Sequence, residues 1–304
     1  MSHGFTGPLF DGRVWPRVEC LDHGPFPCPD ASAAEGVFDD PRTLLHVTPG
    51  FDATRPFAMI AFFHGWCATL SQRIGGARYH VVETYRLIEQ VDAACSNAVV
   101  VAPQFARDAD AGLVDMPGHP GKLVQAGGFV RWLDEAAGLI AARLETDERA
   151  FRQAPVLLMS FSGGYRAAAS VLTQGGAGDR LIGFIGLDTI YGETDAFAAW
   201  FAAQYRHAFL AAVYTGGREH EHASAAPTQA LMGAISAMRL PGVRVRGSLP
   251  RRLAPGIASF VPAGDPALHL DLVAAGWPGF NQPVRRLLRR IPLFTRRSRQ
   301  SNRI

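Results

Sequence analysis

The stretch Pro155-Val156-Leu157-Leu158-Met159-Ser160-Phe161-Ser162-Gly163-Gly164-Tyr165-Arg166-Ala167-Ala168-Ala169-Ser170-Val171-Leu172 decides the reading of this chain. It opens with an apolar run suited to a buried strand and closes with a run compatible with a helix. Between them stands Ser162, with small residues two positions to either side, Ser160 and Gly164. A chain that passes at once from strand to helix has room for nothing larger there. The turn changes what a serine can do. A plain hydroxyl is a poor nucleophile, but one lifted off the end of a sheet, at a helix N-terminus and beside a base, can attack a carbonyl. Ser160 stands where glycine is usual, a departure from the literal pattern that keeps its steric requirement.

Outward from this stretch, runs typical of strands recur at residues 43–47, 58–63, 98–102, 155–159, 181–187, 209–214 and 257–261. They are apolar at successive positions, as suits strands covered on both faces of a mostly parallel sheet. Helical patterns lie between them at 82–92, 127–145, 165–172, 196–205 and 227–238. In the second, Phe129, Leu133, Ala136, Leu139, Ile140 and Leu144 make one stripe, with Arg131, Asp134, Glu135, Arg143 and Glu145 away from it. Strand and helix in alternation predict an α/β fold with helices on both faces of the sheet. No Ser/Gly/Pro-rich linker interrupts residues 43–275, so the expectation is one domain over 42–291, after an irregular extension at 1–41 and before a basic tail at 292–304.

The chain has 304 residues, 48% of them hydrophobic and 19% charged, enough to bury a large core. Its net charge of +3 owes much to arginines after Pro283, so the rest is near neutral and no nucleic-acid partner is expected. Met1-Ser2-His3-Gly4-Phe5 lacks the basic start and apolar core of a secretory signal. No apolar run approaches the ~20 residues of a membrane span, which leads to the expectation of a cytoplasmic protein without an integral membrane segment. Cys20, Cys28, Cys67 and Cys95 are too few and too scattered for a disulfide framework and are expected as buried thiols.

The 58–63 run ends in His64-Gly65-Trp66-Cys67. A His-Gly turn after a buried strand leaves the following amides free to hold a developing oxyanion. Together, Phe63-His64-Gly65, Val101-Ala102-Pro103-Gln104-Phe105-Ala106 and Ser162-Gly163-Gly164-Tyr165 resemble uncharacterised bacterial members of the α/β-hydrolase superfamily over roughly residues 43–290. The resemblance implies Ser162 as nucleophile and the backbone amides of Trp66 and Gly163 as oxyanion hole. The residue reading agrees, since those amides follow the His-Gly turn and the serine. His64 is expected beside the substrate pocket, bracing its loop rather than carrying protons.

The superfamily's order of serine, acid, histidine puts the base late in the chain. His207 precedes a strand run and reads as structural, and His220 and His222 lie in a polar loop. His269 follows the last strand run and precedes a helix-like segment, and is taken as the base. For the acid two positions stay open. Asp188 ends the 181–187 run, where a buried carboxylate needs a partner. Glu219 follows the next run, the commoner place. We take Asp188, with Asp195 more distant. Tyr165 and Trp66 are expected to line an apolar pocket, and the helix at 196–205, carrying Phe197, Trp200 and Phe201, to roof it as a minimal lid. About twenty residues between Asp188 and the next strand run leave room for no more.

The expected function is that of a serine hydrolase acting on an ester or related acyl bond of a small molecule. Acyltransferase or peptidase chemistry uses the same residues, and a non-catalytic scaffold that binds a ligand or protein is the alternative. No cofactor is expected. His220-Glu221-His222 lacks a second histidine motif, so no metal is expected either, and the Gly75-Gly76 and Gly175-Gly176 pairs lack the spacing of a phosphate loop. Val284, Leu287, Leu288 and Ile291 share one helical face among the C-terminal arginines and are expected to pack on the domain. The arginines beyond Pro292 are left for weak contact with an anionic surface.

Overall fold

The computed structural model of the chain describes residues 6–10, 13–25, 42–66, 68–74, 78–105, 121–216, 224–264, 267–277 and 279–295. Ten described strands form one sheet: β1 (Gly7–Pro8), β2 (Arg17–Cys20), β3 (Arg42–Val47), β4 (Ala58–Phe63), β5 (Ala98–Pro103), β6 (Val156–Phe161), β7 (Leu181–Leu187), β8 (Phe209–Tyr214), β9 (Arg244–Arg246) and β10 (Ile257–Pro262). Their spatial order is β1-β2-β3-β5-β4-β6-β7-β8-β10-β9. Every neighbouring pair from β5 to β9 is parallel. β1, β2 and β3 join antiparallel at one edge.

The helices are α1 (Leu87–Asp92), α2 (Gly128–Arg143), α3 (Glu148–Arg152), α4 (Tyr165–Gln174), α5 (Thr194–Gln204), α6 (Ala225–Ala237), α7 (Pro283–Leu288) and α8 (Pro292–Thr295). Alternate residues of a strand face opposite ways, and β4 shows the result. Met59, Ala61 and Phe63 enter the core shared with α2 to α6, while Ala58, Ile60 and Phe62 enter the core shared with α1, α7 and α8. All six are fully buried, which is why the sequence there is apolar without alternation.

Four expectations need correction. The N-terminal segment is not merely irregular, because β1 and β2 extend the sheet and Leu9, Val18 and Leu21 are fully buried. α5 is no roof: Phe197, Trp200 and Phe201 pack in the core between helices and sheet, with Phe197 against Phe184 at 5.0 Å between ring centroids. The packed C-terminus runs past Ile291, since Phe294 in α8 is also buried. Cys20 is disulfide-bonded, whereas Cys95 is a free buried thiol whose burial raises its pKa. Residues 296–304 and Cys28 and Cys67 lie outside the described residues. No described helix is long and apolar enough to cross a membrane.

Candidate active site

β4 lies between β5 and β6. The chain therefore leaves β4 toward one edge of the sheet and leaves β6 toward the other. Where parallel connections diverge in this way, a crevice opens outside the carboxyl ends of the strands. The loop after β4 carries His64-Gly65-Trp66 and the one after β6 carries Ser162, and the register Phe63 to Ser160 sets them side by side.

Ser162 has φ 51°, in the left-handed region that side chains disfavour. It opens a single 3-10 turn, Ser162–Gly164, that runs directly into α4. Two glycines make this possible. A Cβ on Gly164 would meet Ser160 Oγ at 2.7 Å and the His64 and Phe63 carbonyl oxygens at 3.0 Å, and one on Gly65 would meet Ser162 Cβ at 2.6 Å. The serine at 160 is accommodated because its hydroxyl is 2.9 Å from Thr189 Oγ1, which in turn donates to the Ser162 carbonyl at 2.8 Å. Thr189 thus braces the turn from the β7 side.

His269 begins a 3-10 turn, His269–Leu272, and its ring stacks on Phe161 at 4.6 Å and 24°. Nδ1 donates to Asp188 Oδ2 at 2.7 Å, leaving Nε2 as the acceptor for the Ser162 hydroxyl at 2.8 Å. Asp188 sits at the end of β7 with φ 44° and a side chain only 2% exposed. Each of its oxygens accepts twice: Oδ1 from the Thr215 amide at 2.9 Å and the Ser224 hydroxyl, Oδ2 from Thr215 Oγ1 at 2.8 Å and from His269. Burial pushes this carboxyl up, but the hydrogen bond and charge of His269, with Ser224 and Thr215, outweigh it and hold the pKa below the ordinary aspartate value. The structure thus joins Ser162, His269 and Asp188. The end of β8, where Glu219 was the alternative, supplies Thr215 as a donor to Asp188. Glu219, His220 and His222 lie outside the described residues. His207 is exposed in the turn after α5, and Asp195 is exposed in its first turn.

His64 is fully buried. Its Nδ1 donates to the Gly65 carbonyl at 2.9 Å and its Nε2 accepts from the Phe105 amide at 2.9 Å, so it ties the β4 loop to the end of β5. Trp200 is likewise buried in the core. Trp66 is 57% exposed and Leu268 48% exposed, flanking Gly65 and His269. They are two of only four large apolar side chains that exposed among the described residues, which gives the crevice an apolar rim. Tyr165 packs edge-on against Tyr191 at 5.8 Å. Tyr191, which carries no sequence signal of its own, has its hydroxyl 3.4 Å from His269 Nδ1. Burial and the nearby Asp188 charge raise its pKa, so the phenol stays protonated. Among the described residues no group of three or more His, Cys, Asp or Glu could hold a metal ion.

A parallel sheet in this order, with a serine turned sharply between β6 and α4 and an acid and a histidine following it in sequence, is the α/β-hydrolase fold. That assignment rests on this chain's own topology. In structure the chain is similar to the feruloyl esterase module of Clostridium thermocellum, an S954A mutant complexed with sinapinate, at 12% identity over 83% of this chain and 82% of that one with a TM-score of 0.48. It is also similar to esterase 2 of the planctomycete Thermogutta terrifontis with butyrate bound, at 12% identity over 81% of this chain and 85% of that one with a TM-score of 0.44. The same esterase phosphonylated by sarin aligns at 12% identity over 86% and 93% of the two chains with a TM-score of 0.44. No protein-family model matches the chain, and no curated protein matches it in sequence.

Proposed function

We propose that the protein is a serine hydrolase that cleaves an ester or related acyl bond of an apolar small molecule through an acyl-enzyme on Ser162. The observation that carries this reading is the relay from Ser162 Oγ to His269 Nε2 at 2.8 Å and from His269 Nδ1 to Asp188 Oδ2 at 2.7 Å. His269 takes the serine proton as Oγ attacks the carbonyl, then returns it to the leaving group. Asp188 fixes the tautomer that leaves Nε2 basic. The amides of Trp66 and Gly163 hold the oxyanion, the second at the head of α4, where the helix dipole favours negative charge. The exposed Trp66 and Leu268 offer apolar surface to the acyl or leaving group.

A fluorophosphonate reagent tests the nucleophile. It should label the wild type, and Ser162→Ala should abolish labelling while Ser160→Ala keeps it, because the Ser160 hydroxyl meets Thr189 Oγ1 rather than His269. A folded wild type that resists the reagent would favour a ligand-binding scaffold instead.

A further inference from the structure

A second site stands at the edge of the sheet. β9 is the outermost strand beside β10, with Arg244 opposite Ile257 and Arg246 opposite Ser259. Alternate residues share a face, so both arginines stand on one side of the strand while Val245 between them packs toward the core. A cleft of about 790 Å3 opens there, with Arg244, Arg246, Arg251 and Arg252 around a floor that includes Ala254 and Ile257. The segment bearing Arg251 and Arg252 is pinned in place. The Leu253 amide donates to the Arg290 carbonyl at 2.8 Å, Arg290 Nε donates to the Pro250 carbonyl at 3.1 Å, and the Ser259 hydroxyl donates to the Ser248 carbonyl at 2.9 Å.

These cations carry no counter-charge among the described residues. Arg17 and Arg143 pair with Glu19, Arg86 with Glu89 and Arg180 with Asp134. Among the described residues none of the four cleft arginines has a carboxylate partner, and no acidic side chain lines the cleft. Like charges held around one hollow repel, and an anion bound between them relieves the repulsion. Guanidinium forks fit phosphate oxygens two at a time. Four of them match an anion with several charges spread over several ångströms rather than a single carboxylate.

We infer that this cleft binds a multiply charged phosphate anion, through Arg244 and Arg246 on the strand and Arg251 and Arg252 on the loop. It is separate from Ser162: the cleft lies against the first residue of β10, while His269 follows its far end, five strand steps or about 16 Å along. The inference is therefore independent of the proposed hydrolysis.

Pyrophosphate titrated into the full chain by calorimetry tests it, alongside melting curves in pyrophosphate and in sodium chloride of equal ionic strength. The wild type should bind and should melt higher in pyrophosphate. Arg251→Ala/Arg252→Ala should weaken binding at least ten-fold, and Arg244→Lys/Arg246→Lys, which keeps the charge but loses the fork, should weaken it by a smaller factor. Arg149→Ala, exposed on α3, should leave it unchanged. Sedimentation with phosphatidic acid vesicles, whose phosphomonoester headgroup carries more than one charge, distinguishes the source. Retention that the Arg251/Arg252 variant loses assigns a lipid headgroup, and pyrophosphate binding without retention assigns a free phosphate. No binding of either by the wild type, or equal binding by wild type and the Arg251/Arg252 variant, would overturn the inference.

Discussion

Asp188 accepts four hydrogen bonds on two oxygens, and one of the four donors is the histidine ring. An asparagine there would turn an NH2 toward the Thr215 amide, which can only donate, or flip and present it to His269. Either way the imidazole loses the partner that keeps Nε2 unprotonated. Asp188→Asn should lower kcat by roughly 10³–10⁴ with little change in KM, the pattern of lost histidine orientation. Glu219→Gln should be mild, and the reverse pattern in steady-state kinetics would move the acid's role to Glu219. In the sequence, Ser162 and His269 are placed by the strand runs they follow and by the superfamily order of serine, acid and histidine, whereas Asp188 is favoured over Glu219 only because a buried carboxylate needs a partner. Thr189, Thr215, Ser224 and Tyr191 are not legible there. They act by contacts across the chain, such as Ser224 to Asp188, that leave no spacing to read.

At the scale of elements, one buried glutamine holds the segment that carries His269. Gln90 of α1 donates through Nε2 to the Tyr85 and Val273 carbonyls at 2.8 Å and accepts through Oε1 from the Val284 amide at 3.0 Å, at the start of α7. Val273 directly follows the turn His269–Leu272. Gln90→Leu strands buried groups that each cost ~1–3 kcal/mol when unpaired. It should lower the melting temperature and reduce kcat more than fluorophosphonate-independent properties such as the far-ultraviolet spectrum. The C-terminal helices make a separate prediction. Val284, Leu287, Leu288, Ile291 and Phe294 are all buried, so ending the chain before Pro283 should cost several kcal/mol at ~1.5–3 per side chain. Ending it after Ile291 should still cost ~2 kcal/mol through Phe294. Equal melting temperatures for the full chain and either truncation, measured by calorimetry, would refute the packing argument. The packing of 284–291 was legible from its helical spacing. Phe294 was not, because one aromatic among arginines makes no stripe.

At the scale of the molecule, the central strands were legible because burial on both faces writes itself as unbroken apolar sequence, and the runs at 181–187 and 209–214 match β7 and β8 end for end. The edges were not. β2, second from one edge beside the short β1, and β9, outermost at the other, carry charges at alternate positions, Arg17 and Glu19 in one and Arg244 and Arg246 in the other, because a strand near an edge leaves part of its surface uncovered. Cys20 escaped for a different reason, since a pairing set by tertiary approach cannot be read from spacing. Disulfides persist in oxidising compartments, which counts against the expected cytoplasmic home, and dithiothreitol or Cys20→Ser should lower the melting temperature. The acid limb of stability follows from Asp188. Its carboxyl is held below the ordinary value in the folded chain, so above pH ~4 the unfolded chain's aspartate is also ionised and the full contribution is present. As pH falls below that, the unfolded chain takes up the proton first, and the contribution fades until pH passes the depressed native value. The melting-temperature gap between wild type and Asp188→Asn should therefore be widest near neutrality and narrow steadily below pH ~4. A gap that stays constant into acid would mean that the relay contributes no charge-dependent stability.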